Sequence, residues 1–226
     1  MRPVPVRSRS DELTEASTIA LIPARYHSTR LPGKPLADIH GEPMIVHVWR
    51  RASAARSVDA VIVATDDRRV ADAVEAAGGE ARMTDPAHQS GTDRLAEVAA
   101  TLRCGIVVNV QGDEPLVSPD DIDAAVEAVR RDPTVEMSTL CRPLADDEEF
   151  TRPHVVKVVR DRRGRALYFS RSPIPFPRSD GAGAARPFAH VGLYVYRRDT
   201  LLRLAALALT PLECAESLEQ LRALEH

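Results

Sequence analysis

The sequence predicts an α/β protein: three layers built on a mostly parallel central sheet, with a small antiparallel insert. Three observations lead there. Apolar runs at Ile19 to Ile22, Val58 to Ala64 and Ile106 to Val110 read as buried strands. Helical patterns separate them, so strand and helix alternate as in βαβ units. After about residue 151 the pattern changes to short strand-like runs around turn residues.

The first run breaks at Pro23 into a loop carrying Arg25, Arg30 and Lys34, with Gly33 beside the lysine. Three cations directly after a strand suit a polyanion at the strand's carboxyl end, where open α/β sheets bind ligands. Gly33 lets backbone N–H groups approach a phosphate. The plainer alternative is a solvated basic loop. The loop is not a Walker A motif, because Pro35 follows Gly33-Lys34 and no glycine lies five residues before Gly33. It is not a GxGxxG fingerprint either. A triphosphate here must be held mainly by side-chain cations.

Met44 to Ala55 has a helical stripe of Met44, Val48 and Ala52. Val58 to Ala64 ends at Thr65-Asp66-Asp67, and a helix from Arg68 to Ala77 stops at Gly78-Gly79. Asp66 reads as that helix's cap. A short strand near Ala81 leads to His88-Gln89-Ser90-Gly91-Thr92-Asp93-Arg94 and a helix over Leu95 to Leu102. Small residues at a helix start suit an anion or a base edge. The plainer alternative is that Ser90 or Thr92 is a cap and Arg94 is solvated.

Ile106 to Val110 ends in Gln111-Gly112-Asp113-Glu114-Pro115. An acidic pair at the end of a buried strand suits Mg²⁺, which takes one or two carboxylates plus substrate phosphate oxygens. Asp113 is the better ligand. A solvated turn is the alternative. Pro119 to Arg131 is a capped helix, and Met137 to Cys141 a strand. Val155 to Val159 and Arg165 to Phe169 form a hairpin around Gly164. A proline-rich loop, a Gly/Ala linker at Gly181 to Ala185, and a strand over Val191 to Tyr196 follow, with Tyr194 and Tyr196 on one face. Two helices close the chain, over Thr200 to Leu207 and Leu212 to Leu224. In the second, Glu213, Glu216, Glu219 and Gln220 recur at helical spacing, and Glu216 reads as part of an exposed acidic face.

Composition narrows the function. The chain has 226 residues, 44% hydrophobic, with net charge −3 and 4% aromatic residues. Nothing draws it to nucleic acid or an acidic membrane, and no apolar run is long enough to span one. Cys104, Cys141 and Cys214 lie far apart, as reduced thiols of a cytoplasmic protein would. Residues 1–17 are expected to be a disordered tail before a single domain over 18–226, with the insert at about 151–197. Leu224-Glu225-His226 reads either as native or as the stub of a histidine tag.

The segments PARYHSTRLPGKPL, ATDD, HQSGTDRLAEV, VVNVQGDEP, ALYFSRSPIP, HVGLYVYR and PLECAESLEQLRAL, in this order over Ile19 to Leu224, resemble the 3-deoxy-manno-octulosonate cytidylyltransferase (CMP-KDO synthetase) family. The resemblance implies a Rossmann-like nucleotidyltransferase fold and a homodimer. The implied reaction transfers CMP from CTP to KDO with Mg²⁺, for lipopolysaccharide biosynthesis. It assigns Arg25, Lys34 and Asp113 to catalysis, with Asp113 on the metal. Ala24, Arg25, Lys34, Ser90, Gly91, Arg94 and Gln111 would hold the nucleotide. Gln111, Tyr168, Ser170, Arg171, His190, Glu213 and Gln220 would line the sugar-acid site, with Arg171 and His190 facing its carboxylate. Ala189 stands where the family has a basic residue, and Phe176 where it has tryptophan. Family members continue past LEQLRAL into a segment whose aspartate helps bind metal. Two alternatives follow: a nucleotide-binding protein with weak catalysis, or a cytidylyltransferase for a related 2-keto sugar acid.

Overall fold

The computed structural model describes residues 12–26, 31–178 and 187–226. Arg30, the linker at Gly181 to Ala185, and residues 1–11 of the expected tail lie outside them. The chain divides into two compact units. The first holds residues 1–138 and 192–205; the second holds 139–191 and 206–226.

In the first unit, β1 (Thr18–Ala24) is followed by a single 3₁₀ turn (Lys34–Leu36) and a small antiparallel pair, β2 (Asp38–Ile39) and β3 (Glu42–Pro43). Then come α1 (Met44–Ser53), β4 (Ala60–Thr65), α2 (Arg68–Ala76), β5 (Glu80–Met83), α3 (Gly91–Ala100), β6 (Ile106–Asn109) and α4 (Pro119–Arg131). The sheet order is β5-β4-β1-β6, and every one of these pairings is parallel. The mixed, mostly parallel sheet matches the expected class. Its strands are apolar on both faces because helices cover both. Ile19, Leu21 and Ile62 pack with Leu95, Val98 and Leu201 in one core cluster. The helix α1 packs against both α2 and α4 in a second layer.

In the second unit, β7 (Met137–Pro143, its first two residues in the first unit) precedes α5 (Asp147–Thr151), β8 (Lys157–Arg160), β9 (Ala166–Ser170) and β10 (Phe188–Arg197). The pairings of β8 with β9 and of β8 with the start of β10 are antiparallel, as the insert requires. Residues 194–197 of β10 belong to the first unit and pair antiparallel with β6. There the Tyr194 and Tyr196 rings stack with centroids 6.2 Å apart, on one face as expected. The helix α6 (Arg198–Ala205) follows in the first unit. The helices α7 (Pro211–Glu216) and α8 (Gln220–Glu225) close the second.

Three expectations change. The single closing helix is two, because Ser217 takes a left-handed conformation (φ 51°) between α7 and α8. The helix α3 begins at Gly91, four residues early, because Ser90 and Asp93 form a reciprocal cap. The end of the expected tail belongs to the fold. Leu13 is buried in the core with Ile19 and Leu102, and Ser17's carbonyl accepts from the Gly105 N–H at 3.0 Å. Replacing Leu13 with alanine should therefore cost about 2–5 kcal/mol, the usual penalty for emptying a leucine site. Urea denaturation would measure it, whereas a true tail residue would change nothing.

Candidate functional site

Parallel strands deliver their carboxyl ends to one edge of the sheet. Ala24, Thr65 and Asn109 end β1, β4 and β6, and the Val110 N–H donates to the Leu21 carbonyl at 3.1 Å. Arg25 leaves β1 half-buried. Gly33, at φ 73°, closes the basic loop by donating its N–H to the Tyr26 carbonyl at 2.9 Å. A side chain there would also press on the Tyr26 ring. Arg69 covers that ring, its guanidinium carbon 3.5 Å from the centroid, and is itself held by Asp67.

The basic loop and the acidic strand end meet directly. Lys34 Nζ donates to Asp113 Oδ2 at 2.5 Å across 79 residues of sequence. Their side chains remain 38% and 50% exposed. Such a pair contributes only ~0–1 kcal/mol, so a phosphate or a metal ion can replace either partner at little cost. Beside Asp113, partial burial and the neighbouring carboxylate hold the Glu114 carboxyl above its ordinary range, and Lys34 pulls it the other way. Gly112 permits the approach, since a Cβ there would lie 2.5 Å from the Pro23 carbonyl oxygen. Gly91, at the start of α3, also lies against Pro23. Gln111 Nε2 donates to Asn109 Oδ1 at 3.2 Å, and Ala24 is buried.

Arg94 is neither solvated nor open to a ligand. It is fully buried, donating to Asp66 Oδ2 at 2.9 Å and to Thr84 Oγ1. Asp66 is therefore its counter-ion, and the cap of α2 is Asp67, which accepts from the Arg69 N–H at 2.9 Å. Arg94 can act on the first unit's site only through these partners.

In the second unit, the sugar-acid candidates Ser170 and Arg171 meet at Glu216, a residue expected on an exposed face, whereas Gln111 lies in the first unit. Glu216 accepts from Ser170 Oγ at 2.6 Å and from the Arg171 N–H at 2.9 Å, and the Tyr168 hydroxyl also bonds to it. Burial alone would raise its carboxyl pKa, but these hydrogen bonds and the Arg171 charge lower it. The Arg171 guanidinium is spent on backbone. It donates to the carbonyls of Glu216 at 2.7 Å, Pro153 at 3.2 Å and Ser217 at 3.2 Å, so it caps the end of α7. Glu213 is likewise engaged, in a buried pair with Arg222 at 2.6 Å and in the cap of Thr210. Gln220 is buried at the start of α8.

Lys157, fully buried, donates to the carbonyls of Arg152, Val155 and Arg171 at 2.9, 2.7 and 2.6 Å. Burial lowers its pKa. His190 has Thr139 Oγ1 2.8 Å from Nε2 and meets the Phe169 ring edge-on. Burial lowers its pKa to about 4, so at neutral pH the ring can hydrogen-bond but carries no charge.

These features define an α/β nucleotidyltransferase: basic loop, helix start and carboxylate at the ends of parallel strands. The family model described as Cytidylyltransferase matches residues 19–226, and the chain belongs to that family. Within it, the chain groups with the 3-deoxy-manno-octulosonate cytidylyltransferases. The one from Syntrophotalea carbinolica is 54% identical over 217 residues, 93% of this chain and 87% of the relative. The one from Myxococcus xanthus is 57% identical over 210 residues, 92% and 84% of the two chains. A solved CMP:2-keto-3-deoxy-manno-octonic acid synthetase complexed with CTP is 50% identical, with TM-score 0.89 over 93% of this chain and 86% of the other. A 4-diphosphocytidyl-2C-methyl-D-erythritol synthase from Anaerococcus prevotii, 12% identical over 91% of this chain and 82% of the other with TM-score 0.56, shares the fold alone.

Two outcomes are expected. Gly112→Ala should destabilise the protein by about 1–3 kcal/mol, as overpacking against backbone does, and weaken CTP binding; thermal melts with and without CTP check both. His190 takes up its proton at lower pH folded than unfolded, so its contribution to stability is complete above about 6.5 and is lost as pH falls toward about 4. His190→Gln should flatten that part of the stability–pH curve in denaturant titrations at pH 7 and 4.5.

Proposed function

We propose that this chain transfers CMP from CTP to the anomeric 2-hydroxyl of KDO and releases pyrophosphate. The observation that carries the reading is the meeting of Lys34 and Asp113 at the sheet's carboxyl edge, the edge where β1 ends and Arg25 follows. It is supported by 50% identity to a synthetase solved with CTP.

Arg25 and Lys34 neutralise the triphosphate and stabilise charge growing on the departing pyrophosphate. Ser90, Gly91 and Gln111 hold the nucleoside. Tyr168, Ser170, His190 and Gln220 present hydrogen-bonding groups to the sugar acid. Arg171 and Glu213 support this set from behind, since their charged groups are already bonded. No side-chain nucleophile is required, because the attacking oxygen belongs to the substrate. Positioning and electrostatics do the rest.

Asp113 suits Mg²⁺: a half-exposed carboxylate at a strand end, whose partner Lys34 can turn to phosphate. Among the described residues no group of three or more His, Cys, Asp or Glu gathers to hold a metal. Asp113 and substrate phosphate oxygens would hold Mg²⁺, which would supply positive charge to the reacting phosphate. A homodimer and a cytoplasmic location follow from the family resemblance. Among the described residues no helix is long and apolar enough to cross a membrane.

The test is pyrophosphate release from CTP, with KDO and Mg²⁺ supplied together and each left out. Release that needs both supports the reading. CTP binding without release supports a nucleotide-binding protein with little catalysis, and release with a related acid but not with KDO reassigns the substrate. Asp113→Asn should lower Mg²⁺-dependent turnover by at least about 100-fold with an unchanged circular dichroism spectrum. Near-normal turnover would remove Asp113 from the metal.

A further inference from the structure

The end of β9 is gripped from two directions. On one side Glu216 takes the Ser170 hydroxyl, the Arg171 N–H and the Tyr168 hydroxyl on a single carboxylate. On the other, Lys157 takes the Arg171 carbonyl at 2.6 Å. The Ser170 hydroxyl is drawn in twice, since its oxygen also accepts from the Ser172 N–H at 3.0 Å. The α7 end that carries Glu216 is held in turn by the Arg171 guanidinium, on the carbonyls of Glu216 and Ser217. The bonds between Glu216 and Arg171 therefore run both ways, side chain to backbone in each direction.

We propose that Glu216 is a positioning residue for the sugar-acid site. It acts through Ser170, Tyr168 and the Arg171 backbone, and sets where these groups stand when the acid binds. The inference rests on the reading that the acid binds at these residues. A carboxylate suits the task because it only accepts, and it faces three donors. Glutamine keeps the shape but brings an N–H₂ group against one of those donors. Aspartate is one methylene too short to keep all three bonds.

Glu216→Gln, Glu216→Asp and Glu216→Ala are compared with the unaltered chain, by steady-state kinetics varying CTP and KDO separately. Thermal melts accompany them. The expected result is a rise in KM for KDO of about tenfold in the glutamine variant and more in the alanine variant, with KM for CTP within about twofold of the unaltered value. Merely structural damage would move both KM values or lower the amount of active enzyme. Because glutamine nearly matches glutamate in shape, that variant decides the matter if the alanine chain does not fold. An unchanged KM for KDO in Glu216→Gln, or equal rises in both KM values, overturns the inference and leaves the CMP-transfer reading standing. Failure of the unaltered chain to use KDO or a related acid overturns that reading, and the inference falls with it. A double-mutant comparison with Ser170→Ala adds a second readout. The effects on KM for KDO should be markedly less than additive, because Glu216 acts through that hydroxyl; full additivity counts against it.

Discussion

Everything in the first unit depends on β1 being hydrogen-bonded along both edges. β4 and β6 run parallel to it on either side, so Ile19 to Ile22 have no exposure at all. A strand enclosed in this way has one place left to interact with solvent, its end. Its neighbours end beside it because parallel pairing leaves them no other direction. Loops that are remote in sequence are thus brought together by backbone hydrogen bonding alone, before any side chain contributes.

The side chains that meet there are held lightly. The Lys34–Asp113 pair is half-exposed, whereas Arg94 and Asp66 are sealed from solvent. The contrast divides the charged groups into two kinds. Exposed pairs can exchange partners at little cost. Buried pairs cannot lose a partner without leaving an uncompensated charge, so they fix the framework instead.

Much of the fold was legible because strand runs and helix stripes are local signals. The strand at Ile106 to Val110 and the shared face of Tyr194 and Tyr196 both follow from a few neighbouring residues. What stayed hidden depends on distant partners. Nothing near Glu216 in the sequence says that α7 stops there, because the break at Ser217 is stabilised by Arg171, 46 residues away. Leu13 reads as part of a polar tail until its place in the core is seen. Arg94 has the composition of a solvated helix residue, and only the return of Asp66 and Thr84 buries it. In the candidate site, residue types could be chosen by chemistry. Which charges were already spent on the protein itself could not.

The basic residues carry one more consequence. Of thirty, only Lys34 and Lys157 are lysines. At Lys157 three carbonyls converge on one nitrogen, a shape that an ammonium's tetrahedral donors fill and a flat guanidinium does not. That amine is fully enclosed, while Lys34 is 38% exposed. To an acylating reagent the folded chain therefore offers a single side-chain address. A dye or crosslinker coupled to a lysine would land at Lys34, against Asp113, so lysine labelling of the folded chain is directed to one loop rather than random.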